Sequence, residues 1–256
     1  MPNFFLGSNI RPLMFALLTA GLLSSPSAAE ILRDCKTAKQ AEDKVRTCTQ
    51  AISRTNDPAQ LERFYLRRGN AYMELKLYVE AKKDFTSLIA LNPRVSGYFD
   101  NRMSASKELG DLQDAIADAN REVSLAPNMA FTHRSRGLLL EKMLDYPRAL
   151  QDFDQAAALA PLDNGVIIDR ARIKSKLGRG LEAVQDLDGV IEREPSNLWA
   201  YRERGFAYLL IGDSANAEQD LVFFAKTAPD DEEVRSTLAM IRGRGDSPPA
   251  SNQQHN

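Results

Sequence analysis

Five arginines and five aspartates recur along this 256-residue chain at a constant spacing of 34 residues. A guanidinium group presents a planar fork of N–H donors that suits a phosphate or a carboxylate. A row of arginines is therefore one way to build a binding surface for an acidic polymer or a phosphate. The two series are Arg68, Arg102, Arg136, Arg170 and Arg204, and Asp84, Asp118, Asp152, Asp186 and Asp220.

The matched aspartates favour another interpretation of these arginines, as halves of structural ion pairs. Each arginine precedes one aspartate by 16 residues and, from the second arginine on, follows another by 18. If the two series lie on neighbouring helices, either aspartate comes within reach, and the sequence does not choose between them. We predict Arg–Asp pairs between helices, with a ligand-facing arginine row as the alternative.

Residue types that support catalysis or metal binding are sparse. The two histidines, His133 and His255, are distant in sequence from the two cysteines, and the chain has no CxxC pair, zinc-ligand spacing, glycine-rich phosphate loop or nucleophile motif. We therefore expect no catalytic residue, no metal and no cofactor, and we interpret His133 as a partly buried structural residue. The net charge of -2 provides no electrostatic footprint for nucleic acid.

The 34-residue period predicts the elements that position these residues. Alanine stands at position 20 and proline at position 32 of every unit, and position 8 is small in four units. Small residues allow two helices to cross closely, turn signals fall at positions 15 and 16, and the proline ends the second helix. Each unit is thus a predicted pair of antiparallel helices. The five units are 62–95, 96–129, 130–163, 164–197 and 198–231.

The repeat resembles the tetratricopeptide repeat family. The resemblance is carried most clearly by "YLRRGNAYMELKLYVEAKKDFTSLIALNP" (65–93) and "YRERGFAYLLIGDSANAEQDLVFFAKTAP" (201–229), while Met103, Ser106, Ile167 and Lys174 make the second and fourth units poorer matches. It implies an all-α fold, a right-handed α-solenoid of antiparallel helix pairs with a concave groove. Because one pair cannot bury its apolar face alone, the stack of units folds as a whole.

The resemblance also implies a binding surface, because ligands in this family usually contact positions 2, 5, 9 and 12 of the first helices. We expect a protein or peptide partner there. An aromatic anchor at Trp199, Arg202, Phe206 and Leu209 is the sharpest candidate; the alternative is that Trp199 packs against the preceding unit. The expected partner-binding residues are Leu66, Asn70, Met73, Phe131, Arg134, Arg172, Trp199, Arg202, Phe206 and Leu209.

One subclass of the family grips the C-terminal carboxylate of a chaperone peptide with asparagines and basic residues. Asn70 and Asn101 stand at matching places, but Leu66, Phe131 and Ser135 replace the basic groups. We therefore predict that this chain is not a chaperone-tail receptor.

Residues 1–29 have the pattern of a secretory signal. An apolar run from Leu13 to Leu23 is followed by "SSPSAA", with Ser27 and Ala29 at the places a signal peptidase recognises. We expect cleavage before Glu30, no stable membrane insertion afterwards and an exported, most simply periplasmic, protein, although secretion is open. An uncleaved anchor is the alternative.

Export makes a disulfide between Cys35 and Cys48 the expected state of the only two cysteines, with two buried free thiols as the alternative. Residues 30–61 are predicted to form an N-terminal capping helix pair that contains this bridge. Residues 232–243 are predicted to form a capping helix over the last unit, and residues 244–256 a disordered tail.

These observations favour a non-enzymatic interaction module or scaffold in the bacterial periplasm. It would bind a partner protein or peptide in the concave groove. The alternatives are a groove-based small-ligand carrier or enzyme, and a purely structural homo-oligomer.

Overall fold

The computed structural model describes residues 34–245, with side chains to residue 243, and every regular element in this range is a helix. The predicted signal segment and residues 246–256 of the predicted tail lie outside the described residues, whereas residues 244 and 245, also assigned to the tail, continue the last helix. After a helical turn at 34–37, the helices are α1 (Ala41–Ile52), α2 (Pro58–Glu74), α3 (Tyr78–Leu91), α4 (Ser96–Leu109), α5 (Leu112–Leu125), α6 (Ala130–Lys142), α7 (Tyr146–Leu159), α8 (Asn164–Lys176), α9 (Gly180–Arg193), α10 (Leu198–Leu210), α11 (Ser214–Ala225) and α12 (Glu232–Gly245).

Each 34-residue unit consists of two consecutive helices, from α2 and α3 in the first unit to α10 and α11 in the fifth. Each helix packs against the next one along the chain, and α8 also contacts the first helices of the neighbouring units, α6 and α10. The predicted all-α solenoid of helix pairs is therefore confirmed. The described part contains no helix of the length and apolarity that a membrane crossing requires.

Close helix crossing in each unit depends on complementary sizes at positions 8 and 24. A Cβ added to Gly69 would lie 2.6 Å from the ring of Phe85, and one added to Gly205 would lie 2.7 Å from Leu221. The second unit reverses the sizes, because the larger Met103 is buried in the same cluster as Ala115 and Ala119. A large residue at one of the two positions is thus matched by a small residue at the other, so that the helices pack closely in both cases.

The turn between the two helices of a unit has one conformation throughout. Position 15 is left-handed in all five units, as Lys76, Gly110, Leu144, Gly178 and Gly212, with φ between 58° and 83°. Glycine adopts this region freely, whereas for other residues this conformation costs about 1–2 kcal/mol. The stack therefore imposes the turn on Lys76 and Leu144 against their local preference.

The N-terminal end of the solenoid is closed by the predicted disulfide, which is confirmed between Cys35 and Cys48. Their Cα atoms lie 4.7 Å apart. Both cysteines are fully buried, and they pack with Ala51 of α1 and Phe64 of α2. The bridge therefore joins the chain before α1 to α1 itself, and the packing of Phe64 connects both cysteines to the first unit.

The C-terminal end is covered by α12. Val234 and Leu238 are buried against Leu221 and Phe224 of the last unit. Two glutamates begin the helix, where the positive end of the helix dipole favours carboxylates. The helix thus covers an apolar face that a further repeat would otherwise bury.

Candidate functional site

The regular arginines and aspartates form five two-pronged ion pairs, which we call the arginine ladder. In each unit Nε and Nη2 of the arginine donate to both carboxylate oxygens of the aspartate 16 residues later, at 2.6–2.9 Å. The aspartate side chains are buried, with at most 11% exposed. The structure therefore decides between the two spacings in favour of the aspartate of the same unit.

The remaining nitrogen of each ladder arginine, Nη1, turns to the preceding helix pair. It contacts position 25 of the previous unit in four cases, at Thr86, Asn120, Asp154 and Asp188, over 2.6–3.7 Å. Arg68 has no complete unit before it, and its Nη1 donates to Thr49 of α1 at 2.9 Å. Each arginine thus links three helices.

Position 25 was not recognised from the sequence, although a signal was present. It is polar wherever a ladder arginine follows and is Val222 in the last unit, after which no sixth ladder arginine follows. Because the guanidinium forks bind internal partners, the arginine ladder stabilises the stack of units and offers no free row of donors.

A second surface lies on α6, α8 and α10 and at the beginning of α12, and we call it the C-terminal groove. It contains two neighbouring cavities of about 540 Å³ and about 350 Å³ that share Arg172, Arg202 and Glu203. The first is also lined by Arg134, Ile168 and Trp199, and the second by Glu141, Phe206 and Glu233. The predicted groove residues of the third to fifth units are thus largely brought together here.

Ion pairs join the walls of the C-terminal groove across the third and fourth units. Arg134 Nε donates to Asp169 at 2.7 Å, and Arg172 Nη2 donates to the other oxygen of Asp169 at 2.9 Å. Arg172 Nε and Nη2 also bind both oxygens of Glu141, at 2.8 and 2.9 Å. Two groove arginines therefore already hold carboxylates of the chain itself.

Arg202 is similarly committed. Its Nη1 binds Glu203 at 2.9 Å, its Nε binds Asp231 at 3.1 Å and its Nη2 binds Glu233 at 2.5 Å. The guanidinium lies 4.9 Å from the ring centroid of Phe206, which adds a cation–π contact. Arg202 therefore fastens α10 to the capping helix.

The pKa of Glu203 is raised by its burial, while the charges of Arg202 and Arg172 act in the opposite direction. The pKa of Asp231 is lowered, chiefly because the backbone N–H of Val234 donates to it and also because Arg202 does. Burial accounts for the raised pKa of Glu203, and the Val234 N–H with Arg202 accounts for the lowered pKa of Asp231, so neither shift points to a catalytic carboxyl group.

Trp199 is the most exposed aromatic ring of the C-terminal groove, with 61% of its surface accessible. Its ring lies 5.7 Å from that of Phe224 in the same unit, and Arg202 lies 5.9 Å from its centroid. Much of the indole therefore remains free beside the larger cavity.

The other expected contact residues divide between core and surface. Leu66 and Met73 are half-buried against the core of the first unit, and Leu209 packs in the cluster beneath α12. Asn70 and Phe131 are exposed, Phe131 at 46%. Neither lines the C-terminal groove.

Sequence analysis missed the acidic residues that neutralise the groove arginines. Asp169 and Glu203 both occupy position 6, where the other units have Arg67, Asn101 and Ser135. An acid beside position 5 in the two final units was the available signal. It was not recognised because position 6 was not among the groove positions considered.

His133 is buried, and both of its ring nitrogens lie near oxygen atoms of the protein itself. Its Nε2 lies 2.9 Å from the carbonyl oxygen of Pro127, and its Nδ1 lies 3.4 Å from Oδ1 of Asp152 in the arginine ladder. Among the residues that the structure describes, no cluster of three histidine, cysteine or acidic side chains has an arrangement that would hold a metal ion.

Comparison with known proteins agrees with the repeat. The family model described as tetratricopeptide repeat matches residues 62–95. An Hsp70-Hsp90 organizing protein of Triticum aestivum is 24% identical over 74% of this chain and 33% of its own length. A DnaJ homolog subfamily C member 7 homolog of Dictyostelium discoideum is 29% identical over 43% of this chain and 22% of its own length. The chain thus spans a third or less of these two relatives.

Two crystal structures have a similar fold. YrrB, described as a TPR protein with an unusual peptide-binding site, superposes with a TM-score of 0.61 over 75% of this chain and 97% of its own, at 16% identity. MamA superposes with a TM-score of 0.59 over 71% of this chain and 96% of its own, also at 16% identity.

Tetratricopeptide repeats mediate protein–protein interactions. Residues 62–95 thus match a tetratricopeptide repeat, and the four units in register with it share the helix-pair fold of solved tetratricopeptide repeat structures.

Proposed function

We propose that this protein is a non-enzymatic interaction module that binds a partner polypeptide in its C-terminal groove. The observation that carries the proposal is the exposed indole of Trp199 beside a cavity of about 540 Å³. Exposed aromatic side chains in a pre-formed concavity are the usual centres of binding energy in protein interfaces. Trp199, with Phe206 nearby, provides the apolar anchor.

The charges of the groove limit which chemical group of a partner can bind there. The donors of Arg202 and most of those of Arg172 bind internal carboxylates. A partner's terminal carboxylate would have to displace one of these ion pairs. We therefore propose anchoring through an apolar side chain, and the prediction that this protein is not a chaperone-tail receptor stands alongside it.

We further propose that the protein acts in the bacterial periplasm. The signal-like sequence of residues 1–29 supports export, and the buried Cys35–Cys48 disulfide suits an oxidising compartment. Fusing residues 1–29 to a reporter enzyme that is active only after export would test the first part. A reporter that stays inactive and uncleaved would contradict it.

Trp199 is the only tryptophan of the chain, so its fluorescence reports directly on occupation of the groove. Peptides would be selected from a random library by the purified protein, and the best binder titrated by calorimetry and by tryptophan emission. Burial of the indole should shift its emission to shorter wavelength. We expect Trp199→Ala to weaken the selected peptide at least about tenfold, as for an interface hot spot.

Leu162→Ala is the matched control, since Leu162 is 76% exposed in the turn before α8 and lines neither cavity of the groove. It should bind the peptide with unchanged affinity. Both variants should melt near the original temperature because neither side chain is buried. The proposed anchor would be refuted if peptide binding left the Trp199 emission unchanged and if the Trp199→Ala variant bound the peptide as tightly as the original protein. A solution mass that rises with protein concentration would instead favour the homo-oligomer.

A further inference from the structure

The second unit places two acidic residues where the other units have different pairs. Asp100 stands at position 5 of its first helix, α4, and Glu122 at position 27 of its second helix, α5. The corresponding pairs are Leu66 and Leu88, Arg134 and Ala156, Ile168 and Val190, and Arg202 and Phe224.

Positions 5 and 27 are neighbours in the repeated fold. Leu66 and Leu88 pack in one cluster in the first unit, and Ile168 and Val190 share another in the fourth. In the fifth unit the guanidinium of Arg202 lies 6.0 Å from the ring centroid of Phe224. The same geometry brings the carboxyl groups of Asp100 and Glu122 together, and the negative charge of Asp100 acts on Glu122.

Glu122 lacks the partners that a buried carboxyl group needs. Its side chain is fully buried, and neither carboxylate oxygen has a hydrogen-bond partner. Burial, followed by the charge of Asp100, raises the pKa of Glu122 to about 8, and burial also raises the pKa of Asp100. The cation acting on Asp100 is the exposed Lys107, a weak compensation for two desolvated acids.

Asp100 connects this buried group to the surface that a partner would occupy. It is only half-buried, and position 5 is the position from which Arg134, Ile168 and Arg202 line the C-terminal groove. An unpartnered buried acid therefore lies directly behind an accessible one on the same side of the solenoid.

We propose that the Asp100–Glu122 carboxyl pair is the docking point for one cationic side chain, a lysine or an arginine, of the polypeptide that the groove binds. This inference rests on the proposed function and names the chemistry of its partner. A lysine ammonium or a guanidinium brings positive charge and several N–H donors, so one group supplies both the counter-charge and the hydrogen bonds that the pair lacks.

The fifth unit shows what the second one lacks. There the acids Glu203, Asp231 and Glu233 surround a cation of the chain itself, Arg202, at position 5. In the second unit the acid stands at position 5 and no ion pair to it or to Glu122 occurs among the described residues. The missing cation is therefore expected from the partner.

The test is a peptide selection followed by a double-mutant cycle, in buffer containing EDTA so that no divalent cation mediates binding. Peptides retained by the protein should share a lysine or arginine at one position. Replacing that residue by methionine should weaken binding at least tenfold to the original protein. The same replacement should have less than a twofold effect on Asp100→Asn/Glu122→Gln, a nearly isosteric variant that keeps the packing.

Glu108→Gln/Glu192→Gln removes the same charge from two exposed positions and should leave the tenfold effect intact. Retained peptides that quench or shift Trp199 emission but share no basic residue would overturn this inference and leave the groove proposal standing. Equal losses from the methionine replacement in both proteins would also overturn it. Failure of the protein to retain any peptide would overturn the groove proposal and this inference together.

Discussion

The first helix of every unit carries a position of the arginine ladder and a position that faces the groove. The residue type is constant at the ladder position and varies at the groove position. On the ladder side, position 7 is always arginine and binds the aspartate of its own unit with the same geometry. On the groove side, position 5 is leucine, aspartate, arginine, isoleucine and arginine in turn. A solenoid needs the same joint at each step, whereas recognition of one partner needs a different contact at each step.

The two sides also use arginine differently. A ladder arginine bridges three helices and holds one unit on the previous one, so its loss should be felt throughout the stack. A groove arginine such as Arg134 joins the first helices of two units through Asp169 and remains partly accessible, with 37% of its side chain exposed. Stability should therefore depend chiefly on the ladder and binding chiefly on the groove.

Breaking the arginine ladder should have the largest effect. Arg136→Ala leaves Asp152 buried, with the distant Nδ1 of His133 as its remaining polar contact among the described side chains. Removal of one partner of a buried ion pair typically lowers the free energy of unfolding by about 3–5 kcal/mol. Urea unfolding followed by circular dichroism would measure the loss.

Arg148→Ala is the matched control for the ladder variant, because Arg148 pairs with Asp145 while 60% exposed. Its loss should change the free energy of unfolding by less than about 1 kcal/mol. The affinity of folded Arg136→Ala for a groove peptide should be unchanged. Weakened binding with unaltered unfolding would show that the ladder, not the groove, is the recognition side.

The carboxyl pair of the second unit should destabilise the fold as pH rises, because the pKa of Glu122 is about 8 when folded and near 4.5 when unfolded. Below pH 4.5 both states hold the proton. Between pH 4.5 and 8 only the unfolded state releases it, so stability falls. Glu122→Leu should therefore raise the free energy of unfolding by roughly 4 kcal/mol more at pH 8 than at pH 4.

Urea unfolding at several pH values would check this expectation, with the exposed Glu108→Gln as the control. The control should change stability by less than about 0.5 kcal/mol at every pH. A gain from Glu122→Leu that is the same at pH 4 and pH 8 would mean that it reflects packing and not ionisation.

The disulfide should have a somewhat smaller and more local effect. It closes a 13-residue separation, and Cys35→Ser/Cys48→Ser should lower the free energy of unfolding by about 3 kcal/mol on loop-entropy grounds. The loss should be greatest near α1, where Thr49 receives Nη1 of Arg68. Hydrogen exchange would detect it, and faster exchange confined to α10 and α11 would contradict this local role.

The repeat made most of the fold predictable, because five units in register repeat the same spacing of alanine, proline and small residues. The disulfide was predictable from the expectation of export and from the apolar stripes that carry Cys35 and Cys48 in the sequence. The left-handed turn at Lys76 and Leu144 was not, since neither side chain favours it locally; only the stack imposes that conformation.

The candidate site was predicted less completely. Trp199, Arg202 and Arg172 lie where the repeat positions indicated, but the repeat did not show that Arg172 binds Glu141 of the preceding unit or that Arg202 binds Glu233 of the cap. Glutamate is an ionisable residue type that usually lies on the surface, so residue type alone would place Glu122 there. Its burial follows from position 27, which lies between two helices.

The sequence by itself determined the number of units, the helix pairs and the two regular series of charges, because these depend on spacing along one chain. Tertiary structure decided which aspartate each arginine binds, which groove arginines are already neutralised, and that Asp100 and Glu122 lie close together with no ion pair to either among the described residues. These outcomes depend on distances between helices, and a repeat period does not contain those distances.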